Sequence, residues 1–163
     1  MESAPGKGTT FHLYLPASRK TAAHMPPQKT ASFHKGSGRI LIMDDEEIIR
    51  QSVAKTLEIL GYSVESRRNG KETLAFLAEE IRAGRSFSAI LLDLTVPGGM
   101  GGKEVAVEIR NMNITIPLFV TSGYSNDPVM SNPINYGFAG SICKPFTIDD
   151  LAAMLNRHLQ KNP

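Results

Sequence analysis

The chain has 163 residues, 41% hydrophobic and 21% charged, which suits one folded core and excludes a wholly disordered chain. One cysteine excludes an internal disulfide, and no apolar run approaches the roughly 18 residues of a membrane span. The net charge of +2 is uneven, with five bases against Glu2 in residues 1–38 and 13 bases against 15 acids in residues 39–163, so no concentrated basic face points to nucleic acid.

The first 18 residues, MESAPGKGTTFHLYLPAS, lack the apolar core of a signal peptide. A cytoplasmic location without membrane contact by this segment is expected. GKGTT lacks the upstream glycine of a phosphate-binding P-loop. Residues 19–38 are rich in Pro, Ser, Thr, Ala, Gly and Lys, show no apolar periodicity, and read as a flexible linker.

At Arg39 the pattern changes. Ile40–Met43 is a continuous apolar run ending in Asp44-Asp45. Residues 46–60 place Ile48, Ile49, Val53, Leu57 and Leu60 at helical spacing before Gly61. A short strand, Tyr62–Glu65, precedes a helix over 70–84 carrying Leu74, Phe76, Leu77 and Ile81. Ser88–Leu92 is a second apolar strand, ending in Asp93. The glycine-rich stretch 98–102 reads as a tight turn opening a helix near 102–112 at Gly101 or Gly102. Ile116–Val120 is a third buried strand, followed by Thr121-Ser122-Gly123. A weaker helix over 127–136, a strand over 139–143 ending at Lys144-Pro145, and a helix over 147–160 complete the chain. Cys143, inside that last strand, reads as a small core residue.

Continuous apolar strands alternating with helices predict a doubly wound, three-layer α/β domain over residues 39–160, with a five-stranded parallel sheet. In such sheets the site lies at the carboxyl ends of the strands. Asp44, Asp45, Asp93, Ser122 and Lys144 each follow an apolar strand, so all five are expected to converge. One aspartate at a strand end is ordinarily a cap or a solvated turn residue; five polar residues in one series are far more specific. Three carboxylates in one crevice repel, and a hard divalent cation, best magnesium, relieves the conflict. Lys144 and Ser122 supply a positive charge and a hydrogen bond. Asp93, on the central strand, is the candidate nucleophile for a phosphoryl group. The four histidines, His12, His24, His34 and His158, have no partners at metal-ligand spacing and read as ordinary polar residues. Tyr124 is placed to overhang Asp93.

The motifs ILIMDDEE, ILLDLTVPGGMGG, LFVTSGYS and ICKPF resemble those of the receiver domain of two-component response regulators. The resemblance implies a flavodoxin-like (βα)5 fold with strand order 2-1-3-4-5. It implies magnesium held by Asp44, Asp45, Asp93 and the backbone carbonyl of Thr95, with Asp45 the closer of the acidic pair. It makes Asp93 the phosphoryl acceptor, Ser122 the switch hydroxyl and Lys144 the family's lysine, joined to Pro145 by a typically cis bond. A histidine kinase dimerisation domain or a histidine phosphotransfer protein is the implied partner. The sequence departs from the family at Ser141, where an aromatic residue often stands; Phe138 is out of register.

Pro5-Gly6-Lys7-Gly8-Thr9-Thr10-Phe11-His12-Leu13-Tyr14-Leu15-Pro16 resembles the end of a histidine-kinase ATP-binding domain. Residues 1–18 are then a remnant of that domain, unable to fold alone, and the chain is the C-terminal part of a hybrid sensor histidine kinase whose kinase core it lacks. Two alternatives use much of the same chemistry. A haloacid-dehalogenase-type phosphohydrolase needs a second aspartate where Thr95 stands, and its acidic pair comes last in the chain. A phosphorylation-independent pseudo-receiver has no need of an intact acidic set.

Overall fold

A computed structural model describes residues 1–16 and 36–159. The chain divides into two units, Met1–Ala31 and Ser32–Pro163. In the first, β1 (Glu2–Ala4) pairs antiparallel with β2 (Gly8–Thr10). Gly6 and Gly8, at φ of +74° and +80°, supply the left-handed conformations that the turn requires. Residues 11–16, after this hairpin, form no strand. All residues of the hairpin are exposed, so it has no core of its own. Most of the expected linker, residues 19–35, and His24 and His34 lie outside the described residues. Its last residues are tied to the second unit: Gly36 N–H donates to Leu60 O, and Ser63 N–H donates to Gly38 O.

The second unit holds five parallel strands: β3 (Arg39–Met43), β4 (Ser63–Arg67), β5 (Ala89–Asp93), β6 (Leu118–Ser122) and β7 (Gly140–Cys143). Their order, β4-β3-β5-β6-β7, is the expected 2-1-3-4-5. Every residue of β5 and β6 is buried, which is why those strands read as unbroken apolar runs. Strand alternation divides their side chains between two layers. Leu41, Met43, Ile90, Leu92, Leu118 and Val120 face α2 (Gly70–Arg82) and α3 (Gly102–Asn111), where Leu77, Val105 and Ile109 cover them. Ile40, Ile42, Leu91 and Phe119 face α1 (Glu47–Ile59) and α5 (Ile148–Leu159), against Leu57, Leu151 and Leu155. Each fully buried aliphatic side chain contributes about 1.5–3 kcal/mol.

Several boundaries differ from the sequence reading. β6 starts at Leu118 because Pro117 cannot donate to the ladder, and it extends through Thr121 and Ser122. The helix expected over 127–136 is two pieces, α4 (Pro128–Ser131) and a 3-10 turn (Pro133–Tyr136), because Pro133 breaks the helical hydrogen bonding. Ile48, counted on the apolar face of α1, is 82% exposed. Cys143 is exposed and not a core residue. β7 is an edge strand, and Cys143 ends it on the face opposite buried Ile142. Ser141 shares that face and donates its hydroxyl to Met130 O of α4, while Cys143, at the end of the edge strand, is left exposed. His158 is half-buried, edge-on to Phe119 at 5.3 Å.

Candidate functional site

The parallel register brings the predicted residues to one edge of the sheet. Asp93 ends β5 beside Thr121 of β6, and Ser122 ends β6 beside Cys143 of β7, with Lys144 next. Lys144 N–H donates to Ser122 O at 2.7 Å, fixing the start of the lysine's turn. The peptide bond between Lys144 and Pro145 is cis, as expected. Asp44 follows β3, its N–H donating to Arg67 O. Gly102, the first residue of α3, permits close approach on the other side. A Cβ there would lie 2.7 Å from the Asp93 carbonyl oxygen, so a side chain would displace the backbone of the central aspartate.

Asp44, Asp93 and Ser122 are buried, and Asp45 and Thr95 are exposed at the rim. Lys144 Nζ donates to Asp44 Oδ2 at 2.6 Å and to Asp93 Oδ1 at 2.9 Å. Asp44 Oδ1 also accepts the Glu46 N–H at 3.0 Å. The Asp45 carboxylate takes no hydrogen bond among the described residues. Asp45, Asp93, Thr95, Ser122 and Lys144 line one cavity of about 460 Å³, with Tyr124 and Pro97 on its wall.

Burial raises the pKa of Asp93 above the ordinary aspartate range; the Lys144 ammonium opposes the rise, and Asp44 and Asp45 add to it. Burial works against the charge of Lys144, yet its bonds to Asp44 and Asp93 outweigh that cost and raise its pKa. The lysine is therefore a fixed cation at neutral pH.

The donor set fits a hard divalent cation. One carboxylate oxygen from each of Asp44, Asp45 and Asp93 lies within 4.8 Å of the others. Three carboxylates against one ammonium leave the pocket two charges negative, and the open carboxylate of Asp45 faces no competing donor.

The chain was compared with known proteins. Residues 40–156 match the family model described as the response regulator receiver domain. The chain belongs to the receiver domain family. Over 169 aligned residues it is 29% identical to the sensor kinase CckA of Brucella abortus, covering 98% of this chain and 17% of that protein. It is 33% identical over 125 residues to the transcriptional regulatory protein YkoG of Bacillus subtilis, covering 77% of this chain and 52% of that one. The chain thus spans about half, or less, of these relatives. A CheY-like receiver domain structure from Methanospirillum hungatei superposes with TM-score 0.65 at 28% identity, covering 77% of this chain and 96% of that one.

Receiver domains accept phosphoryl groups in two-component signalling, and neither the phosphohydrolase nor the pseudo-receiver alternative is favoured by this membership. Three features of this receiver domain escaped the sequence reading. Ser141, in the position where an aromatic was expected, donates its hydroxyl to Met130 O of α4 at 2.8 Å. The hydroxyl of Ser122 accepts the Tyr124 N–H at 3.0 Å, so the backbone beyond β6 already holds it. Arg50, an unremarked residue on α1, also contacts the acidic loop. Serine in a strand and arginine on a helix are common, and neither carries a signal of such contacts. Among the described residues, no helix is long and apolar enough to cross a membrane.

Proposed function

We propose that Asp93 of this receiver domain accepts a phosphoryl group from a phosphohistidine, with magnesium held by Asp44, Asp45, Asp93 and the Thr95 carbonyl. The single observation that carries this reading is the convergence of three carboxylates and the Lys144 ammonium at one edge of the sheet. Asp44 also holds Lys144 and the turn, each of its oxygens keeping a further lone pair. Asp45 is the free ligand. Bound magnesium supplies charge neutralisation for the phosphoryl oxygens.

The chain's own residues do the rest. An Asp93 carboxylate oxygen attacks phosphorus. The new P–O bond forms as the P–N bond of the donor breaks, and the donor imidazole nitrogen keeps the electron pair and takes up a proton. Burial strips water from Asp93 and makes it the stronger nucleophile. Lys144, bonded to Asp93, turns toward the phosphoryl oxygens and shares their charge. Ser122 leaves the Tyr124 N–H and donates its hydroxyl to the same group, drawing the end of β6 inward.

The partner is a histidine kinase dimerisation domain or a histidine phosphotransfer protein, and the site is cytoplasmic. Residues 1–18, 19–38 and 39–160 are read as an ATP-binding-domain remnant, a linker and the receiver domain. The wider protein is then a hybrid sensor histidine kinase. The similarity to CckA supports this, because its 98% coverage reaches into the first 18 residues.

Phosphoramidate, a small donor with a P–N bond, tests the chemistry. With magnesium present, a phosphorus-31 NMR signal of an acyl phosphate is expected on wild type and is absent from Asp93→Ala. Continuous turnover of p-nitrophenyl phosphate would instead favour a phosphohydrolase.

A further inference from the structure

Arg50 stands one turn into α1 and is half-buried. Its Nη1 donates to Asp44 O at 2.7 Å and to Asp45 O at 2.9 Å. Those carbonyls belong to the two successive peptide planes that flank the Asp45 Cα. Fixing both planes fixes φ and ψ of Asp45, and with them the direction of its Cα–Cβ bond. One other bond spans this residue, from Glu46 N–H to Asp44 Oδ1. Asp45 is exposed, its carboxylate takes no hydrogen bond among the described residues, and Glu46, the cap of α1, makes no side-chain cap bond.

We infer that Arg50 is a positioning residue of the acidic pocket, clamping the two peptides around Asp45 so that its carboxylate is aimed at the cation position. This rests on the magnesium reading above. The arginine acts from behind the ligand: it bonds backbone oxygens and not the carboxylates, so it orients Asp45 without neutralising it. A single guanidinium nitrogen with two hydrogens suits two neighbouring carbonyls.

Charge and geometry pull in opposite directions here, which makes the inference decidable by sign. As a nearby positive charge, Arg50 repels a divalent cation, so its removal would tighten magnesium binding. As a clamp, it preorganises a ligand, so its removal weakens binding. Loss of a residue that orients a metal ligand typically costs about 10-fold or more in affinity.

The test is a magnesium chloride titration of the full chain, followed by NMR on the backbone amides of Asp45, Asp93 and Leu94. Arg50→Met is expected to bind about 10-fold more weakly than wild type. Arg50→Lys, which keeps the charge but replaces the planar fork with one mobile ammonium, is expected to fall between the two. Affinity in Arg50→Met equal to or above wild type would overturn the inference, as would a lowered thermal midpoint with unchanged magnesium affinity. If Arg50→Met fails to fold, Arg50→Lys decides: affinity at or above wild type overturns the clamp. Wild type without magnesium affinity would overturn the metal reading itself, and this inference with it.

Discussion

Lys144 and Asp93 meet across the sheet edge, the ammonium Nζ lying 2.9 Å from Oδ1 of the acceptor carboxylate and 2.6 Å from Asp44. The lysine thereby neutralises part of the carboxylate charge that a bound cation would otherwise offset. Replacing it removes a competitor of magnesium and at the same time a reporter of the phosphoryl group. Lys144→Ala is expected to keep or raise magnesium affinity while losing the spectral changes that phosphorylation produces along β6 and β7. Amide NMR spectra with magnesium alone and with added acetyl phosphate measure both. Equal loss of both responses would contradict the role assigned to the lysine.

Tyr124 is 72% exposed and lines the same cavity as Asp93 and Ser122. A ring there is expected to shield an acyl phosphate on Asp93 from attacking water. Tyr124→Ala is expected to shorten the phosphoryl lifetime several-fold, read from the decay of the phosphorylated species after donor removal. An unchanged lifetime would show that the ring does not shield.

Ser141 bonds Met130 O between β7 and the short α4. Ser141→Ala leaves that half-buried bond unmade, at a cost of about 1 kcal/mol in urea unfolding. Undiminished stability would mean that another group satisfies the carbonyl. The bond also bears on signalling: the link between β7 and α4 here is a hydroxyl and not an aromatic ring.

The strands and the site residues were legible because burial on both faces forces β5 and β6 to be continuously apolar, so the first polar residue after each stands out. Asp93 was readable for that reason, whereas Lys144 follows the partly buried edge strand β7. α4 was not, because Pro128 and Pro133 interrupt a stretch whose apolar residues still suggest one helix. Cys143 was misplaced because an apolar side chain in a strand is buried only where a neighbour covers its face, and Cys143 ends the edge strand. Arg50 and Ser141 act through backbone oxygens, which leave no mark on side-chain pattern. Ile48 followed the helical period yet faces outward, since the period marks spacing and not which neighbours exist.

Glu80 is only 4% exposed, accepts hydrogen bonds from Arg85 and forms an ion pair with Arg39, whose Nη1 lies 2.6 Å away. The Arg85 hydrogen bonds, opposed by burial and joined by Arg39, hold its carboxyl down to about 2. A depressed carboxyl contributes stability above its unfolded value near 4.3, and the contribution is lost as pH falls through the folded value. Wild type is therefore expected to lose stability between about pH 5 and 2 more steeply than Glu80→Gln, and to be the more stable of the two at pH 7. Parallel pH profiles from thermal unfolding would contradict this.

The central claim is that Asp93 receives the phosphoryl group in a magnesium-dependent site. Intact-mass measurement after incubation with acetyl phosphate tests it most directly. Wild type with magnesium is expected to gain one phosphoryl group, and wild type with EDTA or Asp93→Ala with magnesium to gain none. No addition on wild type, or the same addition on Asp93→Ala, would contradict the account.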